Sequence, residues 1–328
     1  MKIILLSGGS GQRLWPLSND VRSKQFLKLL TAPDGSKESM IQRVVRQIRE
    51  AGLADDIVIA TGAAQEKLIH DQLGDTISVV TEPCRRDTFP AIMLACAYLR
   101  SQGASPDEPV VVMPCDSYVD PAYFQVIAQM AQAPQRGDAD MMLMGVEPTY
   151  PSSKYGYIVP DRAAERDGVM PVKRFTEKPD VTRAEALLRE GALWNGGVFA
   201  FRLGHLTAIT ENVRPGADFA ELRRDYGELP KISFDYAVVE NADSVAAVSY
   251  SGKWKDLGTW NTLTDELEER TYGNVVSEGS ESSYVINELG IPVICIGAKD
   301  LVVVASPDGI LVSDRSRSEN LKHLLSQL

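Results

Sequence analysis

Residues 3–26 read IILLSGGSGQRLWPLSNDVRSKQF, and this stretch decides the reading of the fold. Its apolar run, Ile3 to Leu6, has the length of one strand buried on both faces, as in a parallel sheet. The chain then breaks into Ser7-Gly8-Gly9-Ser10-Gly11, where missing Cβ atoms let a ligand approach main-chain N–H groups. Arg13 follows at once, and Lys24 comes after a further loop holding Pro16. A bare backbone with two cations suits a triphosphate: Arg13 can grip two oxygens together, and Lys24 acts as a point charge. The dinucleotide pattern GxGxxG fails, because Leu14 stands where its third glycine belongs, and no Gly-Lys-Ser/Thr of a Walker loop occurs. Taken alone, three glycines also describe an ordinary strand-to-helix turn beside a solvated Arg and Lys.

Outward from this stretch the chain keeps an alternating rhythm. Ser39 caps a helix with Met40, Ile41, Val44, Val45 and Ile48 on one face, closed by Gly52. Residues 57–60 are a second buried strand, a helix at about 64–73 ends at Gly74, and residues 77–80 are a third strand. The alternation predicts an α/β fold with a Rossmann-like, mostly parallel sheet, whose ligands gather beyond the carboxyl ends of the strands.

The loops at those ends carry the chemistry. Glu82-Pro83-Cys84-Arg85-Arg86-Asp87-Thr88-Phe89-Pro90 opens a helix, and its arginines favour an anion or a polar base edge. The strand 110–113 is followed by Pro114-Cys115-Asp116, and an aspartate there suits Mg²⁺, although an Asx turn into a helix near Pro121 reads the same. After a strand at 141–146 the pattern becomes irregular and antiparallel. It includes Tyr155-Gly156-Tyr157-Ile158 and a strand at 172–175 that Pro179 ends, leaving Lys178 at its tip. Residues 193–201 form an aromatic strand with the glycine pair Gly196-Gly197, and Asn195 can bond sugar hydroxyls there. Helices follow at about 205–211 and 219–226, and Ser233 caps another. From about Gly273 short strands alternate with glycine turns, predicting a small all-β segment closed by a helix at 319–325.

Composition narrows the class of protein. The chain has 328 residues, 44% hydrophobic and 24% charged, as in a globular protein of one large domain with an appendage, or of two domains. The net charge of −11 argues against a nucleic-acid or membrane-surface partner, so an anionic substrate needs a local basic pocket and a divalent cation. No apolar run approaches the roughly 20 residues of a membrane span, and strand-like sequence begins at once without a cleavable leader. Cys84, Cys96, Cys115 and Cys295 make no CxxC pair, and His70, His205 and His323 stand apart. Reduced thiols, no zinc and a cytoplasmic location are expected.

Seven ordered motifs over nearly the whole chain resemble the mannose-1-phosphate guanylyltransferases (GDP-mannose pyrophosphorylases), a family of sugar-1-phosphate nucleotidyltransferases. They are Gly8-Gly9-Ser10-Gly11-x-Arg13-Leu14-Trp15-Pro16 with Lys24-Gln25-Phe26, the Glu82–Pro90 segment, Pro114-Cys115-Asp116, Phe175-x-Glu177-Lys178-Pro179, Trp194-Asn195, Asp235-Tyr236-Ala237-x-x-Glu240 and Trp254-x-Asp256-x-Gly258-x-Trp260. The resemblance implies that residues 1–270 form a glycosyltransferase-A-like catalytic domain and that 271–328 form a short left-handed β-helix-like domain. It implies guanylyl transfer from GTP to a sugar-1-phosphate, mannose first, with release of pyrophosphate. Leu6, Gly8, Gly9, Gly11, Arg13, Lys24, Glu82, Arg86, Asp87 and Thr88 are then expected on the nucleotide. Gly156, Glu177, Lys178 and Asn195 are expected on the sugar phosphate, and Asp116 with Asp256 on Mg²⁺. Arg13, Lys24 and Lys178 are the expected catalytic cations. A homodimer through the C-terminal segment is expected. Ser23, Asp87, Ser117 and Gly196 depart from the family pattern and leave glucose, fucose or heptose phosphate open. A non-catalytic nucleotide or sugar-phosphate sensor is the alternative of another class.

Overall fold

A computed structural model describes every residue except Ser10, Gly11, Asp55, Ser326 and Leu328. The described chain groups into two units, each assembled from separated segments. Met1–Gly8, Val45–Pro114 and Val119–Trp254 form the first, and Gly9–Val44, Cys115–Tyr118 and Lys255–Leu328 form the second.

The first unit is built on a nine-stranded sheet. Its strands are β1 (Lys2–Ser7), β2 (Ile57–Gly62), β3 (Ser78–Glu82), β4 (Pro109–Pro114), β5 (Met141–Val146), β6 (Tyr157–Pro160), β7 (Val169–Thr176), β8 (Leu193–Arg202) and β9 (Val245–Tyr250). They lie in the order β3-β2-β1-β4-β8-β5-β9-β7-β6. Ile3, Ile4 and Leu5 of β1 are fully buried, as an apolar run between two parallel neighbours has to be. Leu5 pairs with Ile59 of β2 on one side and Met113 of β4 on the other.

The expectation of a mostly parallel sheet needs correction, because the sheet is mixed. β3, β2, β1 and β4 are parallel, but β8 inserts antiparallel to both β4 and β5. β9 is parallel to β5, while β7 is antiparallel to β9 and β6 to β7. A parallel neighbour needs a crossover of a dozen or more residues, usually a helix. β6 and β7 are joined by little more than the 3₁₀ turn Arg162–Ala164, so only the antiparallel arrangement is open to them.

Helices alternate with these strands along the chain. Helix α1 (Met40–Glu50) starts from Ser39, whose backbone N–H donates to Gln42 Oε1 while its hydroxyl accepts from the Gln42 N–H. After α2 (Glu66–Leu73) comes α3 (Thr88–Ser101), which buries Phe89, Ile92, Met93, Leu94 and Leu99 in the core. Then follow α4 (Ala122–Arg136), α5 (Val181–Arg189), α6 (Leu203–Val213), α7 (Phe219–Arg224) and α8 (Phe234–Ala237). α7 stops at Arg224, and Tyr226 belongs to a separate 3₁₀ turn, Tyr226–Glu228, rather than to the longer helix expected from sequence. No helix among the described residues is long and apolar enough to cross a membrane.

In the second unit, the indole N–H of fully buried Trp260 donates to the Trp15 carbonyl at 3.0 Å, and the Ser306 hydroxyl donates to that of Pro16 at 2.7 Å. Arg22 binds Glu288 through two nitrogens, at 2.8 and 2.7 Å. The C-terminal strands are β10 (Thr271–Gly273), β11 (Val275–Glu278), β12 (Tyr284–Asn287), β13 (Val293–Ile296), β14 (Leu301–Ser306) and β15 (Gly309–Asp314). β10, β12 and β14 stack in parallel, β11 pairs in parallel with β13, and β15 folds back antiparallel on β14. Gly273 turns the chain with φ of +80°, and a side chain there would collide with the Asn287 carbonyl. The Asn287 amide holds the same bend by donating to the carbonyls of Asn274 and Ile291 at 2.9 and 2.8 Å. A 3₁₀ stretch Arg315–Asn320 precedes the closing helix Leu321–Leu325, so the expected helix at 319–325 begins as 3₁₀.

Candidate functional site

Within the second unit, Lys24 is the centre of a charge cluster. It opens the 3₁₀ turn Lys24–Phe26, which the buried Gln25 and Phe26 anchor. Its ammonium pairs with Asp116 Oδ2 at 3.0 Å and donates to Asp256 Oδ1. Asp116 follows the end of β4, and Asp256 ends the short strand Trp254–Asp256, which pairs with Ser117–Val119. That ladder brings together two carboxylates far apart in sequence. Burial opposes the Lys24 charge, but attraction to Asp116 and Asp256 outweighs it and holds the ammonium above the ordinary lysine pKa. Gly258 leaves room for the Asp256 carboxylate, since an added Cβ would come within 2.9 Å of Oδ1.

Two carboxylates converging on one cation form a donor set that fits a hard divalent ion. Mg²⁺ is usually held by one or two carboxylates and completed by phosphate oxygens and water. Among the described residues no group of three or more His, Cys, Asp or Glu is placed to hold a metal ion. Lys24, expected on a triphosphate, is thus held by the two aspartates. Arg13 is exposed on the 3₁₀ turn Gln12–Leu14. Gly8 and Gly9 are exposed too, and Gly9 has φ of +142° with open space where a side chain would stand. Gly11 lies outside the described residues.

Within the first unit, the strand-end motif and the aromatic strand form a second polar cluster. Lys178 follows β7 with φ of +41°, a left-handed conformation costly for a residue with a Cβ. Its ammonium donates to Glu177 Oε1 at 2.7 Å. The Glu177 side chain is only 5% exposed, and its Oε2 is buried without a hydrogen-bond partner. An orphaned buried carboxylate oxygen is costly, and it is a feature that a ligand hydroxyl would satisfy. Asn195 lies across from it on β8, where Gly197 at φ +68° marks a break in register between Asn195 and Phe199. The Asn195 amide donates to Asp235 Oδ1 at 2.6 Å, and its carbonyl accepts from the Gly197 N–H at 3.1 Å. Burial, reinforced by the Glu177 carboxylate, pushes Asp235 up to about 6, against the opposing effects of Asn195 and Lys178.

Asp235 is the residue that sequence reasoning missed. The Asp235-Tyr236-Ala237 motif reads as the start of a capped helix, and Ser233 does cap it by accepting from the Tyr236 N–H at 3.4 Å. The motif itself was the available signal. Nothing local distinguishes a first-turn aspartate that faces water from one that meets Asn195.

A third group, also in the first unit, surrounds the end of β3. Glu82 accepts a hydrogen bond from the Tyr226 hydroxyl at 2.6 Å, and burial raises its carboxyl above the ordinary range. Asp87, at φ +68°, turns its carboxylate onto the Thr88 N–H at 2.8 Å and caps α3. The Thr88 hydroxyl accepts from the Phe234 N–H at 2.8 Å, tying α3 to α8. Arg86 and Leu6 are half-buried.

Residues 2–272 match the family model described as nucleotidyl transferase. The chain is 31% identical to mannose-1-phosphate guanylyltransferase of Klebsiella pneumoniae, over 97% of this chain and 72% of that protein. It is 32% identical to the xanthan biosynthesis protein XanB of Xanthomonas campestris pv. campestris (strain B100), over 99% of this chain and 72% of that one. Among solved structures, mannose-1-phosphate geranyltransferase of Thermus thermophilus superposes with a TM-score of 0.80 at 28% identity, covering 99% of this chain and 98% of that one.

Proposed function

The chain belongs to the nucleotidyl transferase family, and on that premise we propose that it transfers the guanylyl group of GTP to α-D-mannose 1-phosphate. The products are GDP-mannose and pyrophosphate. The convergence of Asp116 and Asp256 on the Lys24 ammonium carries the reading as a transferase, since ligand binding alone does not require a pair of carboxylates that suits a divalent ion. The activity that names the relatives supports mannose as the sugar.

In this reading a phosphate oxygen of the sugar phosphate attacks the α-phosphorus of GTP in line. A new P–O bond forms, the bond to the β-phosphate oxygen breaks, and pyrophosphate leaves with its electron pair. No protein nucleophile takes part, so the protein contributes positioning and charge. Arg13 grips triphosphate oxygens, and Leu6, Gly8, Gly9, Gly11, Glu82, Arg86, Asp87 and Thr88 frame the nucleotide. Lys178 holds the incoming phosphate, while Gly156, Glu177, Asn195 and Asp235 receive the sugar. Asp116 and Asp256 would hold Mg²⁺, which would supply positive charge against phosphate oxygens. Lys24 keeps that carboxylate pair together and offsets one of its two negative charges.

The catalytic domain in this reading is 1–270, working in the cytoplasm. Residues 271–328 make a left-handed β-helix-like piece that forms a homodimer contact. The exposed stripe of Val276, Ile294 and Ile296 supports that contact, being 58%, 66% and 76% exposed on neighbouring strands. The function is tested by measuring pyrophosphate release from GTP and Mg²⁺ with mannose, glucose, fucose and heptose 1-phosphates in turn. Mannose 1-phosphate is expected to give the highest kcat/KM. Faster turnover of another sugar moves the substrate, and no pyrophosphate with any of them overturns the reading.

A further inference from the structure

Glu82 ends β3 in register with Gly62 at the end of β2, so it stands at the carboxyl ends of two parallel neighbours. A cavity of about 520 Å³ opens there, lined by Glu82 with Ala63, Thr81, Phe219 and Arg223. Its far wall comes from α7, a helix that no sequence motif marked. Arg223 of α7 donates to the Thr81 hydroxyl at 3.2 Å, and Tyr226, in the 3₁₀ turn that follows α7, donates to Glu82 Oε2 at 2.6 Å. Tyr226 is fully buried, so its hydroxyl has a fixed place. Among the described residues, no hydrogen bond reaches the other carboxylate oxygen, Oε1.

We infer that Tyr226 is a positioning residue for base selection, holding Glu82 by one oxygen so that the other meets the paired N–H donors of a guanine-type base. The inference rests on the guanylyl transfer proposed above. An ionised carboxylate only accepts hydrogen bonds. Guanine offers N1–H and N2–H side by side, whereas adenine offers a bare N1 acceptor at the same edge. The carboxylate must therefore be both aimed and ionised. Burial and Asp87 disfavour the ionised form of Glu82, whereas the Tyr226 hydroxyl and Arg85 favour it. Removing one hydroxyl thus disturbs the aim and raises the carboxyl pKa together.

Calorimetric titration of the full chain with GTP and with ATP, across a range of pH, tests this. Tyr226→Phe keeps the buried ring and is expected to weaken GTP about tenfold, the loss of a hydrogen bond to a charged group. The loss should grow toward acid pH and leave ATP unchanged. Glu82→Gln, which exchanges an acceptor oxygen for an amide donor, should lose the same selectivity, and the double variant should be little worse than Glu82→Gln alone. Equal weakening of GTP and ATP in Tyr226→Phe, or unaltered GTP affinity, overturns the inference. So does a parent protein that binds GTP and ATP alike. A parent that selects GTP but forms no nucleotide sugar overturns the proposed function and leaves the role of Tyr226 standing on the titrations.

Discussion

The carboxylate of Glu177 lies against the bare Cα of Gly156, so that a methyl group at position 156 would collide with Oε2. The glycine is needed for space rather than for backbone freedom, since it is absent from the residues of positive φ. Asn195 Cβ closes in from the same direction, 3.2 Å from where that methyl would stand. Gly156→Ala must therefore displace Glu177. The expected result is a loss of tenfold or more in kcat/KM for the sugar phosphate, in keeping with the roughly hundredfold cost of about 1 Å of misplacement in a site. Overpacking should also remove about 1–3 kcal/mol of stability. Steady-state kinetics with sugar phosphate varied at saturating GTP provides the measurement, and an unaltered kcat/KM removes Glu177 from the sugar site.

Asp235 makes the site sensitive to pH. Its carboxyl rises from 3.8 toward about 6 in the fold, so the native chain holds a proton that the unfolded chain releases. Stability from this group is present below the unfolded value and is lost as pH rises through the folded one. Function is expected to run the other way, because in the proposed site a sugar hydroxyl would donate to the ionised Oδ2 while Oδ1 accepts from the Asn195 amide. In the parent, kcat/KM for the sugar phosphate should fall as pH drops below about 6. In Asp235→Asn that limb should flatten at a lower plateau. Comparing the two proteins with one substrate cancels the titration of the sugar phosphate itself. Parallel profiles would exclude Asp235.

Lys24 occupies the place of a cation between Asp116 and Asp256. Lys24→Met leaves two carboxylates facing each other without a counter-charge. Both are about a third exposed, so solvent screens their repulsion and the cost should be about 1 kcal/mol. Millimolar Mg²⁺ should restore the melting temperature of the variant while changing that of the parent little. Adding Asp116→Asn or Asp256→Asn to Lys24→Met should abolish that metal response. A Lys24→Met protein whose melting temperature ignores Mg²⁺ shows that the pair is not a metal site.

The parts legible in the sequence are those carried by local chemistry. Ile3 to Leu6, residues 57–60 and residues 110–113 announce buried strands because a strand covered on both faces has to be apolar throughout. Ser39 and Ser233 announce helix starts because a hydroxyl can satisfy backbone N–H groups in the first turn. The residue types of the candidate clusters were readable in the same way, as Lys24, Asp116 and Asp256 in one unit and Lys178 in the other each sit beside a turn or strand end. Strand order was not readable. β8 enters antiparallel between β4 and β5, and that choice depends on pairing between distant segments. The same holds for the partnerships within each unit: Lys24 with two aspartates in the second, and Glu177 with Gly156, Asn195 with Asp235, and Glu82 with Tyr226 in the first. The sequence by itself determined which groups could bear charge or leave the backbone bare. Tertiary structure alone decided which of them met, because Coulomb energy, burial and excluded volume depend on distances across the fold rather than along the chain.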